Sequence, residues 1–167
     1  MSKKQTIKPH SEAKQKQYER EIRLQYGPSI VNESVKLWNS YSAAQKEIIF
    51  EEGGEIYNEM IQAIEAGTSP KSAEVQDLTR RWHEHLRYFY EPTLEILRGL
   101  GEMYNTHPDF IKFFKKLHPR LAEYAREAIN QYVDDLEYAE IERMLAEDEE
   151  NRRNHLRNHP ATGRIRG

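Results

Sequence analysis

The stretch YEPTLEILRGLGEMY, residues 90–104, decides the fold class of this chain. Pro92 is expected to stop or bend any helix that precedes it, because proline lacks a backbone N–H and its ring clashes with the preceding turn. The apolar residues that follow recur at helical spacing: Leu94, Leu97, Leu100 and Met103. This spacing predicts a helix that is interrupted at Gly99 and Gly101 and ended by the His-Pro pair at 107–108.

The helical pattern continues upstream of this stretch. The Gly-Pro pair at 27–28 predicts a break before a first helix, since glycine often ends helices and proline begins them. Ser42 and Gln45 form a capping-box pattern that opens a long helix. The glycines at 53–54 lie inside that helix, where each costs about 1 kcal/mol relative to alanine, and they predict a kink, a close backbone approach or a split helix. Ser72 is expected to cap the next helix.

Downstream of the stretch, a phenylalanine-rich helix is predicted over residues 108–117, with Pro119 after it. A long final helix keeps the 3.6-residue period from Leu121 to Leu136. No segment sustains the period-2 alternation of a strand. The sequence therefore predicts an all-α domain of six to seven helices.

The length of 167 residues and the mass of 19.8 kDa fit one compact domain. We expect a flexible polar N-terminal segment at residues 1–19, a helical ligand-binding domain at 20–147 and a charged, disordered tail at 148–167. No run of about 18 apolar residues and no signal-peptide pattern occurs in the sequence, which predicts a soluble, cytoplasmic protein without a membrane partner.

The composition excludes several classes of function. The chain has no cysteine, which excludes disulfides, zinc–thiolate sites, iron–sulfur clusters and thiol nucleophiles. Lys and Arg number 25 against 28 Asp and Glu, a formal charge of -3, which argues against direct nucleic-acid binding. No glycine-rich phosphate loop or Ser-His-Asp arrangement is present, so we expect no enzymatic activity and no cofactor.

The candidate metal ligands have unsuitable spacing. His83 and His85 are two residues apart, so they point away from each other on a helix, whereas a helical metal pair needs a spacing of three or four. We expect both to be surface or hydrogen-bonded histidines. The carboxylates of the last helix are expected to form a solvated face: Asp134, Glu137, Glu140 and Glu142. The C-terminal arginines are assigned to the disordered tail: Arg152, Arg153, Arg157, Arg164 and Arg166.

Aromatic residues are the more informative signal. The chain has ten tyrosines, five phenylalanines and two tryptophans, and many of them fall within residues 82–114. A helical domain of this size can be built on leucine and isoleucine, so any one aromatic residue is best explained as core. Surplus aromatic residues beside Pro92, Gly99 and Gly101 nevertheless indicate an apolar cleft with adjustable walls.

Residues 90–104 also resemble the central signature of the TipAS antibiotic-recognition domain, the effector-binding half of a class of MerR-type transcription activators. The resemblance continues at residues 108–110 and 119–129 and covers roughly residues 20–133. It implies a globin-like helical domain with a broad cleft for large, rigid, apolar antibiotics such as thiopeptides or albicidin. Such domains occur fused behind a DNA-binding winged helix or alone, where they sequester drug.

Two positions depart from the thiopeptide-binding members that the chain resembles. Those members carry a reactive cysteine where this sequence has Pro92 and a histidine where it has Leu97. Proline offers no nucleophile, so the resemblance implies reversible, non-covalent binding. The ligand need not be a thiopeptide.

We therefore expect this domain to bind a bulky hydrophobic molecule, peptide-like or polycyclic, as an effector sensor or a drug-sequestering protein. The predicted ligand-binding residues are Trp82, His85, Phe89, Pro92, Leu97, Leu100, Met103, Tyr104, Phe113 and Phe114. Catalytic and metal sites are not expected. The alternative is a regulatory module that binds a protein, for example a separately encoded DNA-binding subunit. Haem in a globin-like pocket is a weaker alternative, with His85 as the least unsuitable ligand.

Overall fold

The computed structural model describes residues 27–159, and within that range the chain forms six α-helices and no strand. The helices are α1 (Pro28–Ser40), α2 (Ala43–Glu65), α3 (Ala73–Leu86), α4 (Leu94–Thr106), α5 (Pro108–Leu117) and α6 (Leu121–Asn158). The predicted all-α class is confirmed. The predicted flexible segment at residues 1–19 lies outside the described residues.

The helix starts follow the capping residues that the sequence predicts. Gly27 has a φ of 93° before Pro28, a backbone conformation that favours glycine. At α2 the Gln45 N–H donates to the Ser42 hydroxyl over 3.1 Å, and the Ser42 N–H donates to the Gln45 side chain over 2.8 Å. Ser72 caps α3 in a similar way through the N–H of Val75. These bonds satisfy backbone donors that the first helical turn leaves free.

The predicted interruption of α4 at Gly99 and Gly101 is wrong, because α4 is continuous from Leu94 to Thr106. Its apolar face is buried in the core, and that burial outweighs the weak helix propensity of glycine. A Cβ atom at Gly101 would lie 3.5 Å from the Cα atom of Arg126 on α6. The glycine therefore marks a close approach of two helices. The long helix α2 is likewise unbroken at residues 53–54.

The hydrophobic core is built by α2 to α6 together with Tyr90. Its most deeply buried aliphatic residues are Val75, Leu97, Leu121, Ala128 and Val133. Side-chain hydrogen bonds to backbone carbonyls fix neighbouring helices around this core. The Gln76 amide of α3 donates to the Ala128 carbonyl over 3.1 Å, and the Asn105 amide of α4 donates to the Ala122 carbonyl over 2.8 Å.

Helix α6 extends beyond the point where its hydrophobic period ends. Residues up to Val133 belong to the first compact unit, and a second unit begins at Asp134. Residues 148–158 are helical, although the sequence predicts a disordered tail there. Charged pairs one turn apart account for this correction, since Arg143 contacts Glu147 and Arg153 contacts Glu149, each at 2.6 Å.

No helix within the described range is both long and apolar enough to cross a membrane.

Candidate functional site

The structure separates the predicted ligand-binding residues into two neighbourhoods. Five of them lie buried in the hydrophobic core: Trp82, Leu97, Leu100, Tyr104 and Phe114. Phe113 packs against that core, Pro92 is buried just before α4, and Met103 is half-buried. His85 lies at the end of α3 and Phe89 just after it, where Phe89 also packs against the core. That all ten residues line a ligand site stays a prediction.

The core residues include an inner aromatic cluster, which consists of Tyr57, Trp82, Tyr104, Phe110, Phe113 and Phe114. The ring centroids of Tyr104 and Phe114 are 4.5 Å apart, and those of Tyr57 and Phe114 are 5.4 Å apart in an edge-to-face arrangement. Such geometry is favourable for aromatic pairs. The inner cluster therefore fills space between helices with protein side chains.

Three polar groups are buried within the inner aromatic cluster. The indole of Trp82 and the hydroxyls of Tyr57 and Tyr104 form side-chain hydrogen bonds with one another. Burial raises the pKa of Tyr57, and it raises the pKa of Tyr104 well above its usual range. Both phenols therefore stay protonated and act as hydrogen-bond partners in the core.

The second neighbourhood is an outer aromatic group formed by Trp38, Tyr41, Phe50, Tyr88 and Phe89. Trp38 stacks on Phe89 with ring centroids 5.6 Å apart and meets Phe50 edge to face at 5.3 Å. The Tyr41 hydroxyl donates to the Tyr88 carbonyl over 2.7 Å. All five side chains are half-buried. The group thus presents aromatic surface to solvent while it holds α1, α2 and the end of α3 together.

His85 connects this outer group to α2. Its Nε2 lies 2.7 Å from the Ile49 carbonyl oxygen, and because a carbonyl only accepts, Nε2 carries the proton. The imidazole also contacts the rings of Tyr88 and Phe89, at 5.6 and 5.8 Å between centroids. The weaker haem alternative, with His85 as the ligand, stays a prediction.

Gly53 makes the position of His85 possible. A Cβ atom at residue 53 would lie 3.0 Å from Cε1 and 3.2 Å from Nε2 of the imidazole, closer than atoms normally approach. Of the three explanations that the sequence left open for the glycines at 53–54, a close approach is what Gly53 shows. Here the His85 side chain lies close to the backbone of α2.

An open hollow of about 350 Å³ lies beside His85, between α2 and α3. It is lined by Glu52, Glu55, Ile56, Arg81, Glu84, His85 and Tyr88. A hydrogen bond to Glu52 raises the pKa of Tyr88, so the phenol keeps its proton and donates to that carboxylate. The hollow is within the usual volume of small-molecule sites and combines polar groups with the edge of the outer aromatic group.

Sequence reasoning missed most of this second neighbourhood. It singled out His85 and Phe89 but none of the acidic residues of α2 or the aromatic residues Trp38, Tyr41 and Phe50. Trp38 gives a partial signal, since Val31, Val35 and Trp38 recur at helical spacing and share one face of α1. The pairing of that face with residues after α3 depends on tertiary contacts that sequence spacing does not encode.

His83 occupies the other side of α3. Its Nδ1 lies 2.8 Å from the hydroxyl of Tyr132 on α6, which confirms a hydrogen-bonded histidine. Its Nε2 is buried without a hydrogen-bond partner among residues 27–159. Burial and then the positive charge of Arg87 lower the pKa of His83, against a smaller opposing effect of Glu91 and Glu84.

The sequence and the fold can be compared with those of known proteins. The family model of the TipAS antibiotic-recognition domain matches residues 18–132. The chain belongs to the TipAS antibiotic-recognition family. Over 124 residues it is 36% identical to the HTH-type transcriptional activator mta of Bacillus subtilis (strain 168), a match that covers 74% of this chain and 48% of the relative. The chain thus spans about half the length of that relative.

A solved TipAS structure shares the same helical fold. It is described as TipAS in complex with nosiheptide, from a thiopeptide antibiotic multidrug resistance system of Streptomyces lividans. The TM-score is 0.63 at 26% sequence identity, and the match covers 72% of this TipAS-family chain and 85% of the solved chain. The predicted globin-like helical class and the predicted TipAS resemblance are both confirmed.

Gly53→Ala is expected to lower the melting temperature, although alanine is the better helix former by about 1 kcal/mol. The added methyl group displaces an imidazole that is held by Ile49 and two aromatic rings, and a partly buried hydrogen bond is lost. Thermal unfolding followed by circular dichroism measures the effect. Gly101→Ala is the matched control, since its Cβ atom meets neighbours at ordinary contact distance and should leave stability unchanged or raised. Equal behaviour of the two variants would contradict the proposed role of Gly53.

Stability is expected to fall as the pH drops below about 6.5, the usual pKa of histidine, because His83 binds a proton more readily in the unfolded chain than in the fold. The loss continues until the lowered pKa of folded His83 is passed. Urea denaturation of the wild type and of His83→Gln at several pH values measures this difference. The variant should lose less stability on acidification. His155→Gln, at an exposed position of α6, should follow the wild type. If the free energy of unfolding of His83→Gln falls with pH as steeply as that of the wild type, His83 is not the source of the pH dependence.

Proposed function

We propose that this chain reversibly binds a bulky, largely apolar small molecule at the hollow beside His85, as an effector sensor or a drug-sequestering protein. The observation that carries the proposal is the hollow of about 350 Å³ next to exposed aromatic surface, in a chain of an antibiotic-recognition family. The nosiheptide complex of its structural relative supports the same class of ligand. The similarity to a transcriptional activator supports a regulatory setting and a DNA-binding partner domain or subunit.

Aromatic surface in and beside the hollow supplies the main attraction in this proposal. Tyr88 lines the hollow, whereas Trp38 and Phe89 belong to the adjoining outer aromatic group. All three side chains are half-buried, so a ligand that extends beyond the hollow can cover them without unfolding the core. Covering about 400 Å² at about 25 cal/mol per Å² contributes on the order of 10 kcal/mol before the costs of ordering the ligand. We therefore expect micromolar binding without a covalent bond when the ligand covers the outer aromatic group as well as the hollow.

Polar groups around the hollow supply orientation. The carboxylates of Glu55 and Glu84 and the guanidinium of Arg81 can bind polar groups of the ligand at the rim. None of these groups forms a covalent link, and the chain has no cysteine that could. The proposed protein is therefore a binding protein without a catalytic step, and its complex should dissociate on dilution with the ligand chemically unchanged.

Glu55→Trp is expected to weaken ligand binding about tenfold or more, because the indole occupies the hollow that Glu55 lines. The matched control is Glu51→Trp, one turn earlier on the exposed side of α2 and outside the hollow. Thermal shift with a panel of nosiheptide, an albicidin-like compound and a polyketide identifies a ligand, and titration calorimetry compares the variants.

Two outcomes of that experiment count against different parts of the proposal. If no compound in the panel raises the melting temperature of the wild type at saturation, the proposed binding function is wrong. If a compound binds Glu55→Trp as tightly as it binds Glu51→Trp, the function stands and the assignment of the hollow is wrong.

A further inference from the structure

Large apolar side chains are exposed along the C-terminal part of α6. The exposed fractions are 64% for Tyr138, 55% for Ile141, 63% for Leu145 and 68% for Leu156. At about 100° per residue, Tyr138, Leu145 and Leu156 fall on one line along the helix, and Ile141 lies about 60° to one side. These four residues are called the apolar stripe. An exposed line of this kind is typical of a helix that packs against another helix.

The charges around the stripe are distributed unevenly along the helix. In residues 134–150 Arg143 is the only cation among many carboxylates, whereas residues 151–158 carry Arg152, Arg153 and Arg157 and no carboxylate. Arg143 and Arg153 are paired with acidic residues of their own helix. Arg152 and Arg157 make no ion pair within residues 27–159. The helix thus has an acidic segment followed by a basic end with charges available to a partner.

We propose that this part of α6 pairs with the same helix of a second copy of the chain, in antiparallel orientation. An antiparallel pair places the first part of the acidic segment, residues 134–143, against the basic end of the other copy, which is electrostatically favourable. A parallel pair places like charges side by side along the whole contact. The charge pattern therefore selects a second copy and its direction.

The register follows from the positions of the stripe. A two-fold axis near Glu147 sets Tyr138 of one copy opposite Leu156 of its partner. Ile141 and Leu145 of each copy then lie between the two Tyr138–Leu156 pairs. The same register sets Glu142 opposite Arg152. Apolar contacts and opposite charges thus coincide at the two ends of a symmetric interface, whereas Glu147 of one copy faces Glu147 of the other at the axis. Because only four large apolar residues per copy take part, the dimer is expected to depend on concentration and to weaken as salt is added.

Sedimentation velocity of the full chain over a concentration series tests the dimer. The mass should rise from 19.8 kDa toward twice that value. The double variant Tyr138→Glu/Leu145→Glu should weaken association about tenfold or more. Ile48→Glu is the matched control, since Ile48 is 53% exposed on α2, outside the stripe, and should associate as the wild type does. Circular dichroism verifies that each variant remains helical.

Cross-linking tests the orientation, and the absence of native cysteine makes each introduced thiol unique. Under mild oxidation a mixture of Tyr138→Cys and Leu156→Cys should form a disulfide-linked heterodimer in higher yield than either variant alone. A chain that stays monomeric at every concentration overturns the proposal, as does undiminished association of the stripe variant. Efficient self-cross-linking of Tyr138→Cys alone would instead show a parallel pair and overturn the orientation.

Discussion

The contact between the His85 imidazole and the backbone of α2 at Gly53 is the constraint on which the candidate site depends. A Cβ atom at residue 53 would lie 3.0 Å from the imidazole, so glycine leaves room for the ring at the expense of helix propensity. The imidazole donates to the Ile49 carbonyl and so ties the end of α3 to α2. Tyr88 and Phe89 pack on the same ring, and the outer aromatic group forms around it.

The aromatic residues of the inner cluster and of the outer group have different roles. The inner cluster around Tyr104 and Phe114 fills the core, and its buried phenols are bonded to one another and to Trp82. The outer group keeps half-exposed rings beside a hollow with mixed polar lining. Ligand binding at the outer group requires no disruption of the core, whereas binding among the inner rings would require the helices to separate.

Much of the fold was predictable because it depends on local signals. The capping box at Ser42 and Gln45 and the breaks at residues 27–28 and 107–108 are all properties of short segments. The predicted break at Gly101 failed because packing against α6 outweighs glycine propensity. The candidate site was predicted less well, since the pairing of Trp38 with Phe89 joins residues far apart in the chain. The predicted disorder of residues 148–167 is wrong for residues 148–158, because ion pairs continue the helix after its apolar period ends.

Hydrogen–deuterium exchange with and without a saturating ligand from the thermal-shift panel tests the central claim most directly. If the ligand binds beside His85, amide protection should increase in residues 49–56 and 84–89, which surround the hollow. The amides of α6 that pack in the core should change little, because the inner aromatic cluster stays closed. Protection confined to residues 97–114, with none around His85, would contradict the account and place the ligand among the inner rings instead.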